Sequence, residues 1–252
     1  MGDVAPNLQV REVPIRDIVS AAFDGVPVFV DNEANMAALG ETLFGAAKGC
    51  NEVLYISAGV GVGGAVVRNG QLVRGTTGFA SEFGHMTIDP DGVLCNCGNQ
   101  GCWETLVSQS AVFRLARQAI EGGQPSGLVA LTGGDLSRLS IPLIVTAAAQ
   151  GDAVALSVFE TVGRNLGIGI ASLINSFNPD LVVLGGILSL AGEWLLPTVR
   201  AEVARRALRW NAEATEILVA QHGFDACVMG GVATLLQAIV LEPGRYHLQN
   251  HA

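Results

Sequence analysis

Apolar residues recur along this chain in two rhythms. Short, nearly continuous apolar runs at 27–30, 53–57, 64–67, 181–184 and 217–220 read as strands. The run 71–73 extends a hairpin through Asn69-Gly70, and 181–184 runs straight into the glycine turn Gly185-Gly186. Longer stretches read as helices at 34–47, 110–121, 141–150, 153–175, 193–208 and 229–240. In 110–121 the apolar positions are Val112, Leu115, Ala116 and Ala119, one face of a helix. Pro179 stops the long helix before it. Residues 122–134 read as a flexible connection and 242–252 as a disordered tail. Strands alternating with helices predict an α/β sheet with ligands near the carboxyl ends of its strands.

Composition narrows this picture. The chain has 252 residues, enough for one large domain or two lobes. Half the residues are hydrophobic, 32 are glycine and 15% are charged, which suits a tightly turned α/β protein. Glycine or polar residues interrupt each long apolar stretch, so no transmembrane helix and no membrane partner is expected. The first residues lack a basic segment followed by an apolar core, so no secretory signal is expected either. The net charge is −9, from 14 basic and 23 acidic residues. A surface that neutralises phosphates should be basic, so this chain by itself is not expected to bind DNA. Arg200, Arg205, Arg206 and Arg209 read as the solvated face of a helix.

The densest chemistry lies between Glu82 and Glu104, E-F-G-H-M-T-I-D-P-D-G-V-L-C-N-C-G-N-Q-G-C-W-E. His85 precedes Cys95, Cys97 and Cys102. Three thiolates and one imidazole make a closed tetrahedral set for zinc. Gly92, Gly98, Gly101 and the turn Asp89-Pro90-Asp91-Gly92 let a loop wrap around it. Four protein ligands leave no open position, so the expected zinc is structural. Clustered thiols kept for a metal fit a reducing, cytoplasmic setting. Cys50 and Cys227 read as small buried residues.

The motif E-x-G-H, followed after ten residues by C-x-C-G-x-x-G-C-x-E, resembles the signature of the ROK family of repressors, open reading frames and sugar kinases. Two other segments carry the resemblance. Val30-Asp31-Asn32-Glu33-Ala34-Asn35, continuing to Leu39-Gly40-Glu41, is similar to the family's N-D-A-N segment at the sugar cleft. Ser57-Ala58-Gly59-Val60-Gly61-Val62-Gly63-Gly64 is similar to its second phosphate loop. The likeness runs from about Ala5 to about Ile239. It implies the actin-like, sugar-kinase (ribonuclease H-like) fold of two lobes around a cleft. The family kinases open with a D-x-G-G-T loop that grips nucleotide phosphates. No such loop lies in the 32 residues before Glu33, so the first lobe is expected to be incomplete. The resulting division is a small-lobe remnant at 1–37, a large lobe at 38–241 with the zinc loop 82–104 and a closing helix, and the tail 242–252.

The resemblance also implies roles. Asn32, Glu33, Glu82, His85 and Glu104 would bind a monosaccharide, and zinc would fix one nitrogen of His85 and leave the other for a hydroxyl. Glu82 and Glu104 also fit a supporting or surface role. Glu33 holds the place of the kinase base but is one methylene longer, and a displacement of about an ångström costs about a hundredfold in rate. It equally suits a carboxylate at a helix N-terminus. Gly59, Gly61, Gly63 and Gly64 read as a phosphate-loop remnant or as a plain hairpin turn. Val60 cannot supply the hydroxyl of the kinases' G-T-G. The expected function is therefore the sugar-sensing, dimerising effector domain of a transcriptional regulator, with operator DNA bound only through an N-terminal domain absent from this chain. An ATP- and magnesium-dependent sugar kinase is the alternative.

Overall fold

A computed structural model describes residues 4–5, 10–11 and 13–241. The chain opens with a two-stranded ladder, β1 (Val4–Ala5) and β2 (Val10–Arg11), then helices α1 (Ile15–Ala22) and α2 (Glu33–Phe44). Strands β3 (Glu52–Ala58), β4 (Val62–Arg68) and β5 (Gln71–Leu72) follow as a meander. After the cysteine-rich loop come α3 (Glu104–Val107), α4 (Gln109–Glu121), α5 (Leu128–Leu131), α6 (Ile141–Ala149) and α7 (Ala153–Phe177). Strand β6 (Leu181–Gly185), helices α8 (Gly192–Arg206) and α9 (Arg209–Ala214), strand β7 (Glu216–Val219) and helix α10 (Ala226–Leu241) complete the order.

The main sheet runs β5-β4-β3-β6-β7. β3, β4 and β5 are antiparallel neighbours, whereas β3, β6 and β7 are parallel. Asn69 and Gly70 both have positive φ, 49° and 75°, as a tight hairpin between β4 and β5 requires. The starts of α2, α4, α6 and α7 are capped by short polar side chains. Asn32 accepts from the N–H of Ala34 at 2.8 Å, and Asp152 from that of Ala155 at 2.9 Å. α7 ends on Asn178 in the left-handed region, followed by Pro179.

Alternation along the strands sends side chains to two cores. Leu54, Ile56, Val66, Val182, Leu184 and Ile217 face α4, α6, α7 and α8. Val53, Tyr55, Ala65, Val67, Leu181 and Val183 face α2 and α10. The second layer is thin because α2 and α10 meet through glycines. A β-carbon on Gly40 would lie 2.4 Å from the carbonyl oxygen of Ala226, and one on Gly230 would lie 1.7 Å from that of Met36.

Some sequence expectations need correction. Residues 27–30 form no strand and join neither described sheet. Pro27 lacks an N–H donor, and Phe29 and Val30 are exposed, so burial does not select a face. The connection 122–134 contains α5, pinned by Asp152, which accepts from the Gly127 N–H and the Ser126 hydroxyl. Those partners are far apart in sequence, so no local signal announced them. Cys50 and Cys227 are only half-buried. The tail 242–252 lies outside the described residues. Among the described residues, no single helix is long and apolar enough to cross a membrane.

Candidate metal centre and its polar neighbours

The loop from Phe83 to Glu104 is held at both ends. A single 3-10 turn, Phe83–His85, presents His85, with Glu82 at its start. Thr87 bridges Cys102, and Leu94 bridges Gln100, so the loop folds back as a narrow ribbon. Gly101 is obligatory, because it has φ 69° and a β-carbon there would lie 1.5 Å from the Asp89 carbonyl oxygen. Trp103 anchors the ribbon. It is fully buried, its indole N–H donates to the Asn165 carbonyl at 2.8 Å, and Gly169 on α7 makes room for its ring.

This folding gathers one ligand atom each from His85, Cys95, Cys97 and Cys102, all within 4.8 Å of one another. Cys95 Sγ lies 3.8 Å from His85 Nδ1, and Cys97 Sγ lies 3.6 Å from Cys102 Sγ. Tetrahedral bonds of about 2.3 Å place two sulfurs about 3.8 Å apart, so these spacings fit a metal at the centre. They are too long for a disulfide, and all five cysteines are free. Burial pushes the Cys95 and Cys102 thiols up, while the backbone N–H of Asn99 draws Cys97 down. Three thiolates this close would need a cation among them, and the donor set of one nitrogen and three sulfurs suits a soft or borderline ion.

Glu104, the first residue of α3, links this cluster to the sheet. Its Oε1 accepts from Cys95 Sγ at 2.9 Å and stands 3.9 Å from His85 Nδ1. Its Oε2 accepts from the Val62 N–H at 3.4 Å. Strand β4 is the common neighbour of the other polar positions. A β-carbon on Gly63 would meet Ala34 at 3.1 Å, and one on Gly64 would strike Phe83 at 2.3 Å. Gly84 packs on the Val62 carbonyl. The start of β4 thus lies between the N-terminus of α2, carrying Asn32 and Glu33, and the turn carrying Glu82 and His85. Asn32 is occupied as helix cap through its oxygen, whereas Glu33 and Glu82 are exposed.

The glycine run divides into two parts. Gly59, Val60 and Gly61 form the β3–β4 turn, with the Gly59 N–H donating to the Gly61 carbonyl at 2.9 Å. Gly63 and Gly64 lie within β4, where a β-carbon on Gly63 would press on Ala34 and one on Gly64 would strike Phe83 and the Ser81 carbonyl.

Sequence reasoning missed two groups beside this region. Asp31 accepts from Asn35 at 2.8 Å and pairs with Arg74. Burial pushes its carboxyl up, but Arg74, Asn35 and the Asn32 N–H outweigh that and hold it low. The i, i+4 spacing of Asp31 and Asn35 was a readable signal; the arrival of Arg74 was not. Glu41, fully buried, accepts from the N–H groups of Ala46, Gln221 and His222 at 2.8, 3.1 and 2.8 Å. It fastens the end of α2 to the β7–α10 connection.

Comparison with known proteins places this geometry in context. The profile of the ROK family matches residues 4–238. A putative xylose repressor of Caldicellulosiruptor sp. (strain Rt8B.4) is 37% identical over 95% of this chain and 59% of its own length. The glucokinase of Halalkalibacterium halodurans is 40% identical over 90% of this chain and 68% of its own. This chain therefore spans about three fifths of the length of that repressor. Among solved structures, a ROK family glucokinase from Streptomyces griseus in complex with glucose and AMPPNP superposes with a TM-score of 0.84 at 37% identity, covering 92% of this chain and 75% of that one. A ROK family transcriptional regulator, described as a homolog of the E. coli MLC protein, superposes with a TM-score of 0.83 at 33% identity, covering 92% and 57%.

Proposed function

The chain belongs to the ROK family, and from that membership and the site geometry we propose that it is the monosaccharide-sensing effector module of a transcriptional regulator. Asn32, Glu33, Glu82, His85 and Glu104 bind the sugar, and His85, Cys95, Cys97 and Cys102 hold one structural zinc. The lobes divide at 37–38, and the module works as a homodimer whose two-fold symmetry matches paired operator half-sites. DNA contact belongs to protein outside residues 1–252.

The observation that carries this reading is Glu33. It stands exposed at the first position of α2, where the family kinases carry an aspartate base, and it is one methylene longer. Val60, exposed at the tip of the β3–β4 turn, has no hydroxyl to offer a phosphate. Gly63 and Gly64 lie close against Ala34 and Phe83.

The second reading, an ATP-dependent sugar kinase, is favoured by the 40% identity to a glucokinase and the superposition on a glucose- and AMPPNP-bound one. Calorimetric titration with xylose, glucose, mannose and N-acetylglucosamine, with and without ATP and magnesium, separates the two. The regulator reading expects binding without consumption and a dimer by light scattering. Phosphorylation at about 1–1000 turnovers per second, the ordinary enzyme range, would replace it with the kinase.

A further inference from the structure

The three cluster sulfurs differ sharply in access. Cys95 and Cys102 are 4% and 0% exposed, whereas Cys97 is on the surface. Cys97 Sγ and Cys102 Sγ stand 3.6 Å apart, and a disulfide of about 2.05 Å needs them to close by only about 1.5 Å. Cys102 is fixed. It bridges Thr87, the next residue donates its N–H to the Met86 carbonyl at 2.8 Å, and the Trp103 ring is sealed in the core. Cys97 is exposed at a tight turn beside Gly98, whose φ of 92° leaves open space where a β-carbon would stand. The third sulfur, Cys95, is 4% exposed and lies 3.8 Å from His85 Nδ1.

We propose that Cys97 and Cys102 form a peroxide-sensitive dithiol whose oxidation dismantles the metal site and releases His85 and Glu104. Hydrogen peroxide is the oxidant. The exposed Cys97 sulfur attacks one peroxide oxygen, the O–O bond breaks, and a sulfenic acid and one water form. The Cys102 sulfur then attacks the Cys97 sulfur and expels its oxygen as a second water. Two metal-bound thiolates, one peroxide and two protons from solvent give one disulfide and two waters, two electrons passing from the sulfurs to the peroxide. The cluster is left with two donors, His85 and Cys95, too few to hold the ion. His85 Nδ1 lies 3.8 Å from Cys95 Sγ and 3.9 Å from Glu104, so loss of the ion loosens both polar side chains together. This last consequence rests on the monosaccharide reading above.

The test treats the reduced, zinc-loaded Cys50→Ser/Cys227→Ser chain with equimolar hydrogen peroxide, so that unrelated thiols are absent. Zinc release is followed with a chromophoric chelator, thiol pairing by peptide mapping, and monosaccharide affinity by calorimetry. The expected result is one zinc released per Cys97–Cys102 disulfide, reversed by dithiothreitol and added zinc. Monosaccharide dissociation constants should rise about tenfold or more, the cost of losing one charged hydrogen-bond partner. Zinc retained with all three thiols free, a different pairing, or Cys97 found only as a sulfinic acid would overturn the proposal. A correct disulfide with unchanged sugar affinity would overturn the coupling to His85 and Glu104. If the reduced, loaded chain binds no monosaccharide at all, the sensing function fails, while zinc release and mapping still decide the dithiol.

Discussion

On the sheet face carrying Leu54 and Ile56, large side chains interlock: Trp103, Phe159, Leu166 and Ile170 are buried between the strands and α7. On the face carrying Val53 and Tyr55, cover comes from α2 and α10, which cross through Gly40 and Gly230 and bury mainly alanines. The outer side of α10 then leaves Val228, Val232, Leu235, Leu236 and Ile239 exposed. One face is stabilised by buried apolar area; the other by close backbone approach and by the hydrogen bonds of Glu41. The metal cluster is attached to the first face through Trp103. The N-terminus of α2 is attached to the second. The two halves of the proposed sugar site therefore rest on differently built supports.

Trp103→Ala tests the first support. It should cost about 3–5 kcal/mol in denaturant unfolding, as emptied aromatic sites do, and should weaken metal retention because the ribbon loses its anchor. A change near zero would show that the ribbon does not depend on α7.

Removing the metal by chelation, or substituting Cys97→Ser, should lower the melting temperature, because site formation is coupled to folding. Native protein should carry close to one zinc per chain by elemental analysis. Hydrogen exchange should rise in 82–104 and stay unchanged in α2 and α10. A uniform rise would mean that the two supports are not independent.

On the thin face, Glu41→Gln puts an amide N–H₂ against backbone donors and should cost about 1–3 kcal/mol, the penalty for unsatisfied buried groups. Metal content should be unaffected. A variant as stable as the parent would remove Glu41 as the fastening of α2.

Asp152 gives a smaller, pH-dependent effect. Burial pushes its carboxyl up, but the N–H groups of Ala155 and Gly127 and the Ser126 hydroxyl outweigh that and hold it below its ordinary value. A depressed carboxyl contributes stability above its unfolded pKa, about 3.9, and loses it as pH falls through the folded value. Asp152→Ala should cost about 0.5–2 kcal/mol at neutral pH, with the gap to the parent closing in acid. A gap independent of pH would assign the loss to packing.

The smallest effect belongs to the outer side of α10. Leu236→Ser should change chain stability by no more than about 0.5 kcal/mol, and light scattering on the same variant reports whether that side is buried between copies.

Several features were determined by the sequence alone. The apolar runs at 53–57, 64–67, 181–184 and 217–220 became strands, because β-branched residues between turn signals have few alternatives. The Asn69-Gly70 hairpin formed because only residues tolerant of positive φ close it. The clustering of His85, Cys95, Cys97 and Cys102 was legible because these candidate ligands come from one short ribbon whose turns are set by local glycines. Elsewhere only the tertiary structure decided. Residues 27–30 have strand composition yet form no strand, which the local sequence alone did not decide. Gly63 and Gly64 read as one loop with Gly59 and Gly61, but the fold places them within β4, close against Ala34 and Phe83, which are distant in the chain. The anchoring of Trp103 between Cys102 and Glu104 is decided by α7, which supplies Asn165 and Gly169. The burial of Glu41 is decided by the β7–α10 connection, which supplies two of its three N–H donors. Local conformational preference is written in neighbouring residues; the burial of a polar or bulky group depends on partners that arrive only when the chain has folded.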